Sequence, residues 1–162
     1  MKPVERAAYA LGGLLILSGV IHLAVLLISG GTWEGPLSLR KPMTFGLSFG
    51  LTLINVTLIA SFVPLKDRSR TMLLGVFAGA CVLETFLVSL QAWRGVPSHF
   101  NIETPFDATV AQILALGGFT LVAIIVLLTA AVFRHRHALP SPLRLAIQAG
   151  FVALVGAQIA GA

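Results

Sequence analysis

The chain has 162 residues, of which 57% are hydrophobic and 10% are charged, and its mean hydropathy is +0.95. Soluble domains carry about 25% charged residues, so this composition excludes a protein whose whole surface faces water. The net charge of +5 would favour nucleic-acid binding in a soluble protein. Here the basic residues flank long apolar runs and no basic, aromatic-interleaved surface is visible, so we expect the lipid bilayer, and no nucleic acid, as the partner.

Apolar runs bounded by helix-breaking or helix-capping residues predict five transmembrane helices. We place them at about residues 7–28, 43–63, 69–92, 105–133 and 142–161. The fourth helix has the clearest start, because Thr104 can cap it, Pro105 suits the first helical position and Asp107 is a capping-box-like acid. One crossing takes about 20 apolar residues, so five of them nearly exhaust the chain. The predicted fold is therefore an all-α membrane bundle that forms a single domain over residues 1–162.

The basic residues are divided unequally between the two sides of this predicted bundle. One side carries Lys2, Arg6, Lys66, Arg68, Arg70, Arg134, Arg136 and Arg144. The other side carries Arg40, Lys41 and Arg94. Because cytoplasmic connections carry the excess of Lys and Arg, this division predicts a cytoplasmic N-terminus and an external C-terminus. We expect a multi-pass protein of the plasma (inner) membrane.

Small residues recur at a spacing of four, as in Gly46 and Gly50 and again in Gly75 and Gly79. Small faces let helices approach closely in lipid, where burial of apolar surface gives no net drive. The pattern predicts a tight bundle or a homo-oligomer interface and does not separate the two. Cys81, the single cysteine, excludes an intrachain disulfide and a cysteine-based metal cage.

An acid inside the third predicted helix is the most unusual polar residue of the chain. Glu84 lies about halfway along that helix, where a carboxylate normally marks a function or a buried partner. Gln91 follows two helical turns later on the same face, and Arg94 comes at the helix end. These positions predict a polar stripe that leads from Glu84 to the outer connection.

The remaining candidate residues lie in or beside the two outer connections. They are Lys41 at the start of the second helix, Ser98, His99 and Asn101 in the third connection, and Asp107. Simpler roles stay open, with Trp33 and Trp93 as interfacial residues, Lys41 as a headgroup anchor and Asp107 as a helix cap. A surface connection has no physical need for Arg, Ser, His and Asn within eight residues, so we expect some of them to bind a ligand.

Metal and haem chemistry has weak support. His22 and His99 are the two histidines predicted on the outer side, where they could serve as axial haem ligands. A zinc site would need Glu84 or Glu103 in addition, at distances that the spacing does not define. Ser98 lacks the strand-turn-helix setting of a nucleophile. The sequence therefore assigns no cofactor, no metal and no catalytic residue.

Several segments resemble an uncharacterised family of bacterial multi-helix membrane proteins. They are Arg40-Lys41-Pro42-Met43-Thr44-Phe45-Gly46-Leu47-Ser48, Glu84-Thr85-Phe86, Gln91-Ala92-Trp93-Arg94-Gly95, Ser98-His99-Phe100-Asn101 and Thr104-Pro105-Phe106-Asp107. The resemblance covers about residues 40 to 112 and implies no activity. It implies that one shared constellation contains Lys41, Glu84, Gln91, Arg94, Ser98, His99, Asn101 and Asp107.

The leading hypothesis is a membrane protein that binds a small polar or anionic ligand on its outer side. Arg94 and Lys41 would supply the charges, and His99 would supply a donor or an acid-base group. One alternative is an enzyme of the outer leaflet or a haem or metal redox protein. Another is a structural or assembly subunit of a membrane complex, in which the small-residue faces contact other chains. The sequence does not decide whether the protein is an enzyme.

Overall fold

The computed structural model of the chain describes residues 1–35, 37–134 and 141–160. Within these residues the fold is all-α, as predicted, and has five helices and no strand. They are α1 (Pro3–Ser29), α2 (Arg40–Phe62), α3 (Asp67–Trp93), α4 (Pro105–Arg134) and α5 (Ser141–Ala160). The first four are long and apolar enough to cross a membrane, which confirms a transmembrane bundle. The fifth helix packs against α4, and its own crossing stays a prediction.

The first three helices begin two to four residues earlier than predicted. Their first turns are polar, so a search for apolar runs does not include them. Pro3 suits the first helical position of α1, where its missing N–H has no partner to lose. Asp67 in the first turn of α3 complements the positive end of the helix dipole. Residue 161, the predicted end of the fifth helix, lies outside the described residues.

The bundle has two chemically different ends. At the basic end, which comprises the starts of α1 and α3 and residues 63–66, Arg70 Nη1 donates to Glu5 Oε1 at 3.1 Å. The loop end comprises residues 30–35, 37–39 and 94–104 and the adjoining helix ends. There, Trp93 Nε1 donates to His22 Nε2 at 3.1 Å. Every candidate residue except Glu84 lies at or next to the loop end.

Glycines bring the backbones of α1 and α2 into direct contact. A Cβ atom on Gly46 would lie 2.8 Å from the Cα of Gly19, and one on Gly50 would lie 2.7 Å from the carbonyl oxygen of Gly12. Real Cβ atoms do not approach so closely, so larger side chains would force the two helices apart. The close packing predicted for Gly46 and Gly50 is therefore confirmed inside the chain, and this face of α2 is not available to a second protein.

The second predicted pair, Gly75 and Gly79 on α3, behaves differently. A Cβ atom at either position would have no neighbour within 4 Å among the described residues. Packing within this part of the chain does not require a glycine at either position. The face that they form remains open to a partner helix or to lipid.

The centre of α3 supplies the middle of the bundle core. Its fully buried side chains pack with residues of α2 and α4, and the largest of this cluster are Leu53, Val56, Leu74, Phe77, Ile125 and Leu128. Cys81 belongs to the same buried cluster and is surrounded by apolar groups. This placement favours the packing role for the thiol. From this core, α3 extends to both polar ends of the bundle.

Candidate functional site

The connection from α3 to α4 leaves the bundle through a glycine-dependent turn. Gly95 adopts a φ of +70°, which places it in the left-handed region that favours glycine. Its N–H donates to the carbonyl of Ala92 at 3.1 Å, and the N–H of Val96 donates to the carbonyl of Gln91 at 3.1 Å. These bonds satisfy the last carbonyls of α3, and they turn the chain back over the helix end.

Asp107 is the centre of a buried hydrogen-bond network. Its Oδ1 accepts from Gln91 Nε2 at 2.9 Å and from Arg94 Nη1 at 2.6 Å, and its Oδ2 accepts from the Thr104 hydroxyl at 2.6 Å. The N–H of Asp107 donates in turn to Thr104 Oγ1 at 3.1 Å, so the predicted cap of α4 is confirmed. Gln91 is fully buried, and its side-chain oxygen accepts a further bond from Arg94 Nη1. The network links the end of α3 to the start of α4.

Arg94 is therefore largely engaged inside the protein. Its guanidinium pairs with the buried carboxylate of Asp107 and lies 4.6 Å from the ring centroid of Phe106. A cation over an aromatic face gains a further electrostatic attraction. Because the charge of Arg94 is balanced by a buried acid, its main effect is to hold the two helices and the connection in register.

His99 lies against the start of α2. Its ring is 5.7 Å from that of Phe45, and its Nδ1 is 2.9 Å from the hydroxyl of the buried Ser98. Burial, and secondarily the positive charge of Lys41, hold the pKa of His99 below its ordinary value of 6.5. The imidazole is thus neutral at pH 7. The structure brings together three of the predicted residues here, namely Lys41, Ser98 and His99.

Asn101 presents a buried amide group in the same connection. Its Oδ1 accepts from the N–H of Glu103 at 3.1 Å, whereas its Nδ2 finds no partner within the part of the chain that the structure describes. Buried polar groups are nearly always hydrogen-bonded, so such an atom requires an explanation. The preceding Phe100 has a φ of +60°, a strained conformation for a non-glycine residue, and its side chain is exposed.

Glu84 is separate from this arrangement. It lies two helical turns before Gln91, about 10 Å along α3, and no hydrogen bond of the described residues joins it to Gln91 or Arg94. The predicted polar stripe along α3 stays a prediction, because Glu84 and Gln91 are both buried on that helix but no hydrogen bond between them is found among the described residues. The carboxyl group instead packs against α4, where a Cβ on Gly117 would collide with Glu84 Oε1. Gly117 was not a sequence candidate, and only its small size opposite an embedded acid could have indicated it.

His22 does not have the environment of a metal ligand. Its Nδ1 is 2.8 Å from the carbonyl oxygen of Ser18, and its Nε2 accepts from Trp93. Both ring nitrogens are used, so no lone pair remains for haem iron or zinc in this arrangement. Across the residues described, no group of three or more His, Cys, Asp or Glu side chains is placed to hold a metal ion. Trp93, interpreted as an interfacial residue, is in addition the hydrogen-bond donor to His22.

Comparison with protein-family models, with curated proteins and with solved structures finds no match for this chain. The resemblance of residues 40 to 112 to an uncharacterised bacterial family therefore stays a prediction. The function is inferred from the chemistry of the loop end itself. There a half-buried lysine at the start of α2 lies near a neutral histidine, and the connection that carries this histidine also holds an amide nitrogen without a partner among the described residues.

Proposed function

We propose that this chain is a multi-pass protein of the plasma membrane whose loop end faces outward and binds a small anionic group. The observation that carries the proposal is the environment of Lys41. Its side chain is half-buried beside His99, and none of the ion pairs found in the described residues includes it. An ammonium group that loses water needs a charged or polar partner.

The orientation rests on the division of basic residues between the ends. Of the eight on the side expected to face the cytoplasm, seven lie in the described part of the chain, and Arg136 lies outside it. The loop end carries Arg40, Lys41 and Arg94. The positive-inside rule then directs the basic end to the cytoplasm.

The polar groups near Lys41 and farther along the connection after His99 suit an anion better than a cation. His99 is neutral and polar, Ser98 offers a hydroxyl group, and Asn101 holds an amide N–H₂ that lacks a partner within the described residues. Charge-assisted hydrogen bonds from such donors to a carboxylate or phosphate oxygen are stronger than bonds between neutral groups. Arg94, by contrast, is already paired with Asp107, so we assign it a positioning role.

Binding of sulfate or acetate to the detergent-purified protein tests this assignment. We expect Lys41→Gln to weaken binding about tenfold or more, the loss of one charge-assisted contact. Arg40→Gln is the matched control, because it removes the same charge from the preceding residue, whose guanidinium lies 4.0 Å from Glu34. Equal binding by Lys41→Gln and the wild type would reject the proposal.

A second candidate function is that of an assembly subunit, and the uncovered face of α3 favours it. Gly75 and Gly79 form a small-residue face that meets no side chain of the described residues, whereas Gly46 and Gly50 are already in contact with α1. Close helix association through such a face would join two copies of this chain or a copy and a partner helix. Cross-linking in membranes tests it, because Gly79→Leu should abolish a dimer that the wild type forms.

A further inference from the structure

A second polar cluster lies at the basic end, about the length of α3 away from Lys41. There, Arg70 is buried, and its guanidinium donates through Nη1 to Glu5 and through Nη2 to the carbonyl of Val63 at 2.9 Å. Its Nε is also buried and has no partner among the described residues. Arginine is favoured wherever several donors must meet oxygen atoms in a defined geometry.

An open pocket adjoins this arginine. It has a volume of about 410 Å³ and is lined by Met1, Lys2, Glu5, Tyr9, Ser61 and Arg70. A pocket of this size accommodates a small ligand or a lipid headgroup. The lining combines two cations with two hydroxyl groups. The hydroxyl group of Tyr9 is a donor for a phosphate oxygen, and that of Ser61, which here donates to the carbonyl of Leu58 at 2.6 Å, becomes one when it turns from that carbonyl.

The acids of this end are directed to internal partners. Glu5 accepts at Oε2 from the N–H of Lys2 at 2.7 Å and at Oε1 from Arg70. Asp67 pairs with the side chain of Lys2. Three further basic residues, Arg6, Lys66 and Arg68, occupy exposed positions at the same end. The field around the pocket is therefore positive although two acids belong to the cluster.

We propose that this pocket binds a phosphate group, with Arg70 as the buried donor and Lys2, Tyr9 and Ser61 as the outer contacts. The site is independent of the loop end and of the function proposed for it. Two sources share this chemistry, the headgroup of an anionic phospholipid and inorganic phosphate. Beside the pocket, Leu58 and Phe62 are each 45% exposed on α2, which offers an acyl chain a path along the helix. Basic clusters between helices at the membrane surface bind anionic headgroups in this way.

Native mass spectrometry of the full chain, released from detergent with defined lipids, tests the proposal. We expect phosphatidylglycerol to be retained in preference to a neutral diacylglycerol that lacks the phosphate. Lys2→Gln and the double variant Tyr9→Phe/Ser61→Ala should each weaken retention about tenfold, since hydrogen bonds to a charged group are lost. Arg68→Gln is the control, because it removes an equal charge from the same end but Arg68 does not line the pocket. Its effect on lipid retention should stay below about twofold.

The two phosphate sources give different results. If the lipid is retained and inorganic phosphate does not displace it, the ligand of the pocket is the lipid headgroup. If inorganic phosphate alone binds and the same variants weaken its binding, the ligand is the free ion. Binding of neither ligand would overturn the proposal. Equal losses in Lys2→Gln and Arg68→Gln would also overturn it, because they would show a general surface field and no pocket. The double variant Tyr9→Phe/Ser61→Ala keeps every charge. A loss of binding in this variant therefore reports the lost hydroxyl contacts and not a change in the electrostatic field of the surface.

Discussion

Arg94 and Asp107 form an ion pair at 2.6 Å that joins the end of α3 to the start of α4. The acid is buried, and the arginine side chain is about one third exposed, at 37%. Removal of one partner of such a pair is costly chiefly because it leaves a buried charge or donor without a partner. Here the group left behind would include the amide of the fully buried Gln91.

Replacement of Asp107 should therefore destabilise the bundle. Asp107→Ala removes the acceptor for Gln91 and Arg94 and half of the Thr104 cap, and we expect the midpoint of thermal unfolding in detergent to fall by about 5 °C or more. Asp107→Asn keeps the size and one acceptor oxygen and should have a smaller effect. Glu103→Gln is the control, since this exposed acid forms no ion pair within the described residues. A midpoint for Asp107→Ala that equals the control would contradict the prediction.

A methyl group at position 117 should collide with Glu84. We expect Gly117→Ala to destabilise the protein by about 1–3 kcal/mol, the usual cost of an inserted group in a packed interior. Gly118→Ala is a matched control on the next residue, because its Cβ would have no neighbour within 4 Å among the described residues. The measurement is thermal or denaturant unfolding of the two variants side by side.

The double variant Gly117→Ala/Glu84→Ala distinguishes this collision from a general effect of the substitution on α4. Because the carboxyl group that blocks the methyl is absent, the double variant should be no less stable than Glu84→Ala alone. The two changes should thus be non-additive. Additive losses would show that Gly117 serves another purpose.

The contact between α1 and α2 should depend on the absence of side chains. Gly46→Ala places a Cβ 2.8 Å from the Cα of Gly19, where backbone atoms must move, and we expect a loss of about 1–3 kcal/mol. Gly13→Ala, on the open side of α1, has no neighbour within 4 Å in the described part of the chain. Alanine is the better helix former by up to about 1 kcal/mol, so this control should be neutral or stabilising. Equal unfolding midpoints for the two variants would refute the close contact.

The affinity of the loop end for anions should rise as the pH falls from 7 to 5. The pKa of His99 lies below 6.5 because of burial and the nearby charge of Lys41. An anion beside these groups offsets that charge and raises the pKa, so binding takes up a proton and is favoured at lower pH. Sulfate is the suitable probe, since its own charge is constant over this range. His99→Gln should abolish the pH dependence, and an unchanged profile in this variant would exclude His99 as its source.

Local signals predicted a large part of this structure. The apolar runs indicated the helices, and Thr104, Pro105 and Asp107 indicated the start of α4, because each of these features depends only on residues that are close in the sequence. The contact between Trp93 and His22 joins residues 71 positions apart, and no local pattern encodes it. The same reason explains why the packing of Glu84 against Gly117 was not predicted. Its position on α3 was predictable, but its contact with Gly117 depends on how α4 packs.

The two ion pairs at the ends of α3 have a consequence for biosynthesis. When the ribosome has delivered α1 and α2, these helices can already associate through their glycines without any later segment. Arg70 at the start of α3 then finds Glu5 in a helix made before it, whereas Arg94 at the far end waits for Asp107 in a helix made after it. The pair at the start of α3 can therefore form as soon as α3 meets α1, whereas the pair at its far end forms only after α4 has been made.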